Sequence, residues 1–316
     1  MLLFAPLIVL VLALALDYLF GEPRHFHPLV GFGHLANAAE KQFNTTPTNS
    51  RLSLLAGLFS VFLLTAPFLG LAIWASATLD GWPLVLIQSI VLWLALSLRG
   101  LAEHGKAVAE PLRAGDLDTA HEQVSRIVSR KASALDEKGV AAAATESMLE
   151  NGADAVFASL FWFLVAGIPG VVLHRMVNTL DAMWGYRNPR FLFFGRVAAR
   201  LDDLMGWVPA RLTALTYMLL GHRKLAWWCW RNQAPQWDSP NAGPVMAAGA
   251  GALNVRLGGP SPYPSGVKQR PVLGGAHDAS SASVDAAIAL VRRGVWLWLV
   301  AVLVTTVFIF LALHSS

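Results

Sequence analysis

The chain has 316 residues, of which 55% are hydrophobic and only 14% charged, and its mean hydropathy is +0.51. A soluble domain carries about 25% charged residues, so this composition excludes a disordered chain and argues against an ordinary soluble enzyme. The net charge of +4 comes from 24 Lys and Arg against 20 Asp and Glu; the basic residues are spread evenly, and no run is dense enough for nucleic acid.

Residues 2–20 are apolar except for Asp17 near the end. No Lys or Arg precedes them, and they continue past Ala13-Leu14-Ala15, so they read as a membrane run and not a signal peptide. Residues 52–79 and 83–98 are separated by Asp80, Gly81 and Trp82, which predicts a helical hairpin. Residues 155–173 form a fourth run, interrupted by Gly167-Ile168-Pro169-Gly170. Residues 295–313 form a fifth, with Trp296 and Trp298 as interfacial anchors after Arg292-Arg293. The polar segments 21–51, 99–154 and 174–294 hold every Lys and Arg of the chain, so all three are expected on the cytoplasmic side. Five simple crossings cannot satisfy that. The fourth run is therefore expected to re-enter or lie buried in protein, as its Gly-Pro break permits. The alternative, a return crossing by 207–221, would export five arginines between 175 and 200 and place Arg211 inside a short span. The expected architecture is an all-α polytopic membrane protein, one domain over 1–316, with about four or five membrane helices and large helical cytosolic loops.

The polar segments carry the candidate chemistry. Where the first apolar run meets 21–51, Asp17, Glu22, Arg24, His25 and His27 crowd a membrane boundary; the His-x-His pair lacks a third metal ligand. In 99–154 two helices are predicted, the first broken within Pro111–Asp116. On the second, Glu146, Glu150 and Asp154 stand at i, i+4 and i+8, which places three carboxylates on one helical face. Such a stripe is either a solvated face or an oxygen site of the kind Mg²⁺ prefers. Arg126 and Arg130, also four apart, suit phosphate or carboxylate recognition or simply a solvated or headgroup-facing surface. Gly100 to Ala107 nearly spells a P-loop, but Ala107 replaces the Mg²⁺-binding hydroxyl and no strand precedes it. Between 178 and 211, Asp181, Asp202 and Asp203 alternate with Arg187, Arg196 and Arg211, which suggests internal ion pairs. The loop from Gln236 to Pro260 is rich in Gly, Ala and Pro; small residues permit either close approach to a ligand or tight packing. The single cysteine, Cys229, forms no internal disulfide and reads as a packed thiol.

Taken together and in order, LDYLFGEPRHFHPLVGFG, RIVSRKASALDEKGVAAAATESMLENGADAVFASLFWFLVAGIPG, NTLDAMWGYRNPRFLFFGRVAARLDDLMGWVPARL and QWDSPNAGPVMAAGAGALNVRLGG resemble the adenosylcobinamide-phosphate synthase family (CobD/CbiB) of cobalamin biosynthesis. The resemblance runs from about residue 10 to 295. Lys131 stands where a more acidic stretch is expected, and 261–282 is expected to vary freely.

The resemblance implies an integral ligase of the cell inner membrane. It would join a carboxylate of adenosylcobyric acid, a corrinoid, to (R)-1-amino-2-propanol or its O-phosphate, with ATP and Mg²⁺ as energy source. Amide formation from a carboxylate is uphill in water; an acyl phosphate made from ATP gives the amine a good leaving group to displace. That chemistry needs cations on developing charge and a base for the ammonium proton. On this basis Glu146, Glu150 and Asp154 are the candidate catalytic residues, with Glu146 and Glu150 as Mg²⁺ ligands. Arg126 and Arg130 are the candidate nucleotide-phosphate holders, and Asp181, Arg187, Asp202, Asp203 and Asn241 the candidate contacts to corrinoid or aminopropanol phosphate. Trp227, Trp228, Trp230 and Trp237 either line a corrinoid cleft or anchor at the interface. Other nucleotide-loop enzymes are conceivable partners. Two other classes stay open: a non-enzymatic signalling protein like AmpE, and a transporter, against which stands the lack of an inverted repeat.

Overall fold

The computed structural model describes residues 2–23, 27–263 and 266–314. In chain order the helices are α1 Ala5–Phe20, α2 Pro28–Phe43, α3 Ser50–Thr78, α4 Gly81–Ala95, α5 Leu98–Ala114, α6 Leu117–Ser125, α7 Glu137–Asn151, α8 Ala158–Trp184, α9 Arg196–Leu220, α10 Arg223–Asn232 and α11 Ala242–Leu253. Four three-residue strands follow, β1 Arg256–Gly258, β2 Ser261–Tyr263, β3 Gly266–Lys268 and β4 Val272–Gly274, and then α12 Ser281–His314. Three helix starts carry capping chemistry: the side chains of Asn49, Asp116 and Asp136 accept from the amides of Leu52, Thr119 and Gly139. The fold is all-α apart from two antiparallel ladders, β1 with β4 and β2 with β3. They form where Gly258, Gly259, Pro260 and Pro262 forbid a helix.

Among the described residues, four helical stretches are long and apolar enough to cross a membrane: Ser50–Thr78, Gly81–Ala114 (α4 with α5), Glu137–Trp184 (α7 with α8) and Ser281–His314. α1, with 16 residues, is shorter. The alternative return crossing at 207–221 falls in α9, which is not among the four. The run at 155–173 lies in the most protein-buried of the four windows, 50% against 11% for α12. It bends at Gly167, whose φ of 60° and ψ of −151° suit glycine alone, yet the helix continues to Trp184.

The chain divides into two compact units. Unit 1 comprises the described residues of 1–97, 158–206 and 309–316. Its centre is α8, which packs against α2, α3 and α4, while α1 packs on α4. The expected hairpin of the second and third apolar runs is therefore not a packed pair. Each lies along α8 instead, with Ala72 and Ala75 of α3 and Val91 of α4 meeting Ile168 and Val172. A second core joins α2, α3 and α8 through Phe32, Val61, Leu64, Leu180 and Trp184. Glu40 on α2 ties down the loop after α8: Arg190 donates to it through Nε at 2.8 Å and Nη2 at 2.5 Å. That guanidinium holds the Glu40 carboxyl below its ordinary pKa.

Unit 2 comprises Leu98–Phe157 and Trp207–Phe308. α7 is its axis, packed against α5, α6 and α11, and α11 carries α10 and β4 on its other sides. The Gly/Ala/Pro stretch read as a loop thus contains a helix, α11, buried from Ala242 to Ala252. Its small residues serve packing: a Cβ on Gly249 would meet Leu149 at 2.8 Å, and one on Gly251 would meet Ala226 at 2.7 Å. Cys229 is buried on α10, as a packed thiol should be, with Sγ directed at the Gly274 carbonyl.

Candidate functional site

α7 buries almost every side chain from Val140 to Leu149, and all of them are small or apolar except Thr145, Glu146 and Ser147. A carboxylate in that position is tolerated only with full compensation. Glu146 has it. Arg130 donates through Nη2 to Oε2, Arg270 donates through Nη1 to Oε2 at 2.8 Å and through Nη2 to Oε1 at 3.3 Å, and the Gly258 amide donates to Oε1 at 2.8 Å. The two guanidinium side chains are only 10% and 7% exposed. Burial alone would depress the Arg130 pKa, but the adjoining Glu146 outweighs it and raises it. Arg270 is held further by the Gly259 carbonyl at 3.2 Å and Ser261 Oγ at 2.8 Å, and its guanidinium lies over the Trp237 ring at 5.4 Å. Gly258 adopts φ 76°, and a Cβ there would strike the Pro271 carbonyl. The turn that presents its amide to Glu146 therefore requires glycine.

This triad of one acid and two arginines borders a cavity of about 400 Å³ in unit 2. Ser129, Glu150, Asp238, Tyr263 and Lys268 also reach it, with the Trp237 ring and the apolar Ile127 and Met246 as further wall. Lys268 is paired with Asp238 at 2.6 Å. Glu150, exposed to the cavity, has no hydrogen bond or ion pair among the described residues. The charges of the wall therefore sort into a triad of net +1, a neutral pair, and one uncommitted carboxylate. An anionic group and a cationic group are both provided for in one space.

The residues singled out in the sequence scatter across the two units. Glu146, Glu150 and Arg130 meet at the cavity. Asp154 does not join them: the helix widens to a π-turn over Gly152–Phe157, which breaks the i, i+4, i+8 register. It lies instead beside Tyr217, whose buried hydroxyl donates to the Leu149 carbonyl at 3.0 Å. Arg126 also departs from the expected pair, because α6 ends at Ser125 and the chain turns. It is exposed and bound to Glu122 at 2.6 Å, while Arg130 points inward. Asn241 accepts from Arg211 Nη1 at 3.1 Å at the start of α11, outside the cavity wall. Asp181, Asp202 and Asp203 belong to unit 1, grouped near Asn178 and Arg175. Asn178 donates to Asp202 at 3.2 Å, and Arg175 Nη1 donates to Asn178 at 3.4 Å. Burial, with Asp203 adding to it, raises the Asp202 pKa. Arg187 is exposed in the loop after α8. Arg200, not one of the expected Arg187, Arg196 or Arg211, lies 4.0 Å from Asp203. Arg24 and His25 lie outside the described residues. His27 caps α2, its Nδ1 accepting from Leu29 at 3.2 Å, and burial lowers its pKa.

Sequence reasoning missed Arg270, Lys268 and Tyr263, since 261–282 was expected to vary freely. The double glycine 258–259 followed by Pro260 was the available signal of a constrained turn. For Mg²⁺ the fit is partial. Both Glu146 oxygens are filled by N–H donors, so Glu146 does not suit a metal ligand and is a positioning residue for two arginines. Glu150 does suit one, since Mg²⁺ commonly takes one or two carboxylates alongside phosphate oxygens and water. No group of three His, Cys, Asp or Glu forms a metal cage among the described residues.

Fold and cavity together define a polytopic α-helical membrane protein with a buried arginine–glutamate triad at a polar pocket. Residues 10–291 match the family model described as CobD/Cbib protein. The chain is 53% identical over 294 residues to the cobalamin biosynthesis protein CobD of Chromobacterium violaceum, covering 92% of this chain and 93% of that one. It is 54% identical over 293 residues to the protein of the same name from Stutzerimonas stutzeri, covering 92% and 95%. The corresponding protein of Rhodobacter capsulatus is 41% identical over 293 residues, covering 90% and 92%. No solved structure matches the chain. The chain belongs to the CobD/CbiB family, and its role lies in cobalamin biosynthesis.

Proposed function

We propose that the chain is an amide ligase of the cell inner membrane that joins adenosylcobyric acid to (R)-1-amino-2-propanol or its O-phosphate, with its polar segments and the unit 2 cavity facing the cytoplasm. The observation that carries this reading is the cavity's split charge: a fixed arginine pair for an anion beside an uncommitted carboxylate for an ammonium group or for Mg²⁺. Bound ATP with Mg²⁺ supplies the driving force for an otherwise uphill condensation. Arg130 and Arg270, locked by Glu146, hold negative charge on phosphate or on the reacting carboxylate without reorganising. Glu150 orients the ammonium group, takes its proton, or ligates the metal. The partly apolar wall at Trp237 suits one edge of an amphipathic ligand. The test mixes the detergent-purified protein with adenosylcobyric acid, Mg²⁺-ATP and the phosphorylated or free amino alcohol. The amide mass, together with nucleotide release that requires both organic substrates, is the expected result. No amide with either amine and no corrinoid binding would overturn the reading and favour a non-enzymatic relative of the AmpE kind.

A further inference from the structure

A strip of basic and tryptophan side chains runs along α10 and the adjoining part of α12, and the proposed reaction uses none of it. α10 packs on α11 through Ala226 and Cys229. At 3.6 residues per turn, Arg223, Lys224, Trp227, Trp228 and Arg231 fall together on the opposite face. All five are exposed, the two indoles by 49% and 54%. The Arg231 guanidinium lies 5.5 Å from the Trp227 ring centre, so cation and aromatic form one surface. Arg293 of α12 donates to the Leu220 carbonyl at 3.1 Å, which brings the start of α10, three residues on, beside the start of α12's apolar run. There Arg292, Arg293 and Trp296 are exposed as well.

The charge of this strip has no counterpart in the chain. None of Arg223, Lys224, Arg231, Arg292 and Arg293 makes an ion pair among the described residues. No Asp or Glu occurs between Asp203 and Asp238 or after Asp285. A purely basic face attracts any polyanion. Exposed indoles interleaved with the cations, and continuity with a helix long and apolar enough to span a bilayer, select one kind: indoles partition to the headgroup level, and cations there meet anionic lipid.

We propose that α10 is an interfacial helix that binds the anionic headgroups of the bilayer receiving α12, with Trp227 and Trp228 seated at headgroup depth. The full chain is reconstituted into vesicles of phosphatidylcholine containing a fixed fraction of lipid brominated near the headgroup, either as phosphatidylcholine or as phosphatidylglycerol. The indole pair is isolated as the difference in fluorescence quenching between the wild type and Trp227→Phe/Trp228→Phe. The pair is expected to be quenched, and more strongly by the anionic brominated lipid. Arg223→Gln/Lys224→Gln/Arg231→Gln should abolish that preference, while Arg223→Lys/Arg231→Lys should keep it. Unbrominated phosphatidylglycerol, added in competition, reads the same preference on the wild type and needs no variant to fold. Equal quenching by both lipids overturns the proposal, as does a pair that no lipid quenches. Single-stranded RNA bound by the reconstituted protein, and lost in the triple Gln variant, would give this face to a polynucleotide instead.

Discussion

Unit 2 and unit 1 gather acidic groups in opposite balance. In unit 2 one carboxylate, Glu146, meets two guanidiniums and a backbone amide, so every lone pair is used and the surplus charge is positive. In unit 1 Asp181, Asp202 and Asp203 gather near Arg175, with Arg200 at 4.0 Å from Asp203, and the acids outnumber the cations. The first arrangement fixes its members rigidly, because Glu146 cannot leave without stranding two buried guanidiniums. The second leaves the folded state holding like charges together. A preorganised cavity belongs with the first.

Removing the centre of the triad has the largest expected effect. Glu146→Ala leaves Arg130 and Arg270 buried and facing each other, a loss of about 3–5 kcal/mol in stability, read as a lowered melting temperature in detergent. Glu146→Gln keeps the shape but loses the charge, and turnover should fail in both. Near-normal melting of both variants would show that the arginines find other partners, and the contrast between the units would collapse.

Glu150→Gln separates chemistry from folding. The side chain makes no hydrogen bond or ion pair among the described residues and stands near the like charge of Glu146, so melting should stay at the wild-type value or rise slightly, while kcat for amide formation falls about a hundredfold, the lower range for a lost general base. If melting drops as it does for Glu146→Ala, Glu150 is structural. Arg270→Gln ranks next. The Arg130–Glu146 pair survives it, so the fold persists, but one cation is gone from the cavity. The KM for the anionic substrate should rise about tenfold, as for a lost charge-assisted hydrogen bond, with kcat less affected. An unchanged KM would move anion recognition elsewhere.

How much of this was legible in the sequence differs between bilayer and site. Bilayer thickness dictates helix length, so the apolar runs announce themselves, and α3, α4, α8 and α12 lie where the runs predict. What the runs do not encode is partner choice, and the hairpin expected at Asp80–Trp82 gives way to packing on α8. At the site, Glu146 and Arg130 stood out by charge and spacing. Their third member, Arg270, lies 124 residues from Glu146 in a segment with no periodicity to mark it. The register argument failed at Gly152 because helical spacing assumes 3.6 residues per turn, and a π-turn does not keep it. The composition that suggested a loop at 236–260 concealed α11, since glycine and alanine describe a tightly packed helix as well as a flexible segment.

The smallest expected effect tests the other half of the comparison. Asp202 accepts one hydrogen bond from Asn178, but burial and the neighbouring Asp203 raise its pKa above that of an unfolded chain. Ionisation is thus less favourable in the folded protein, and the resulting cost is present above the folded pKa and absent below the unfolded one. Asp202→Asn removes the charge and keeps an oxygen for Asn178, so it should raise stability at neutral pH by about 1 kcal/mol or less, within the usual range for a single hydrogen-bond or charge change. As pH falls from above the Asp202 pKa toward the unfolded value, the wild type should regain that difference, and the two melting temperatures should converge. Glu40 in the same unit runs the other way: Arg190 lowers its pKa, so its contribution is present above the unfolded carboxyl pKa and is lost as pH falls through the folded one. Melting temperatures of wild type, Asp202→Asn and Glu40→Gln across the acidic range therefore separate an over-acidic cluster from a paired carboxylate. A gap between wild type and Asp202→Asn that widens on acidification would mean that Arg175 stabilises the ionised Asp202 after all.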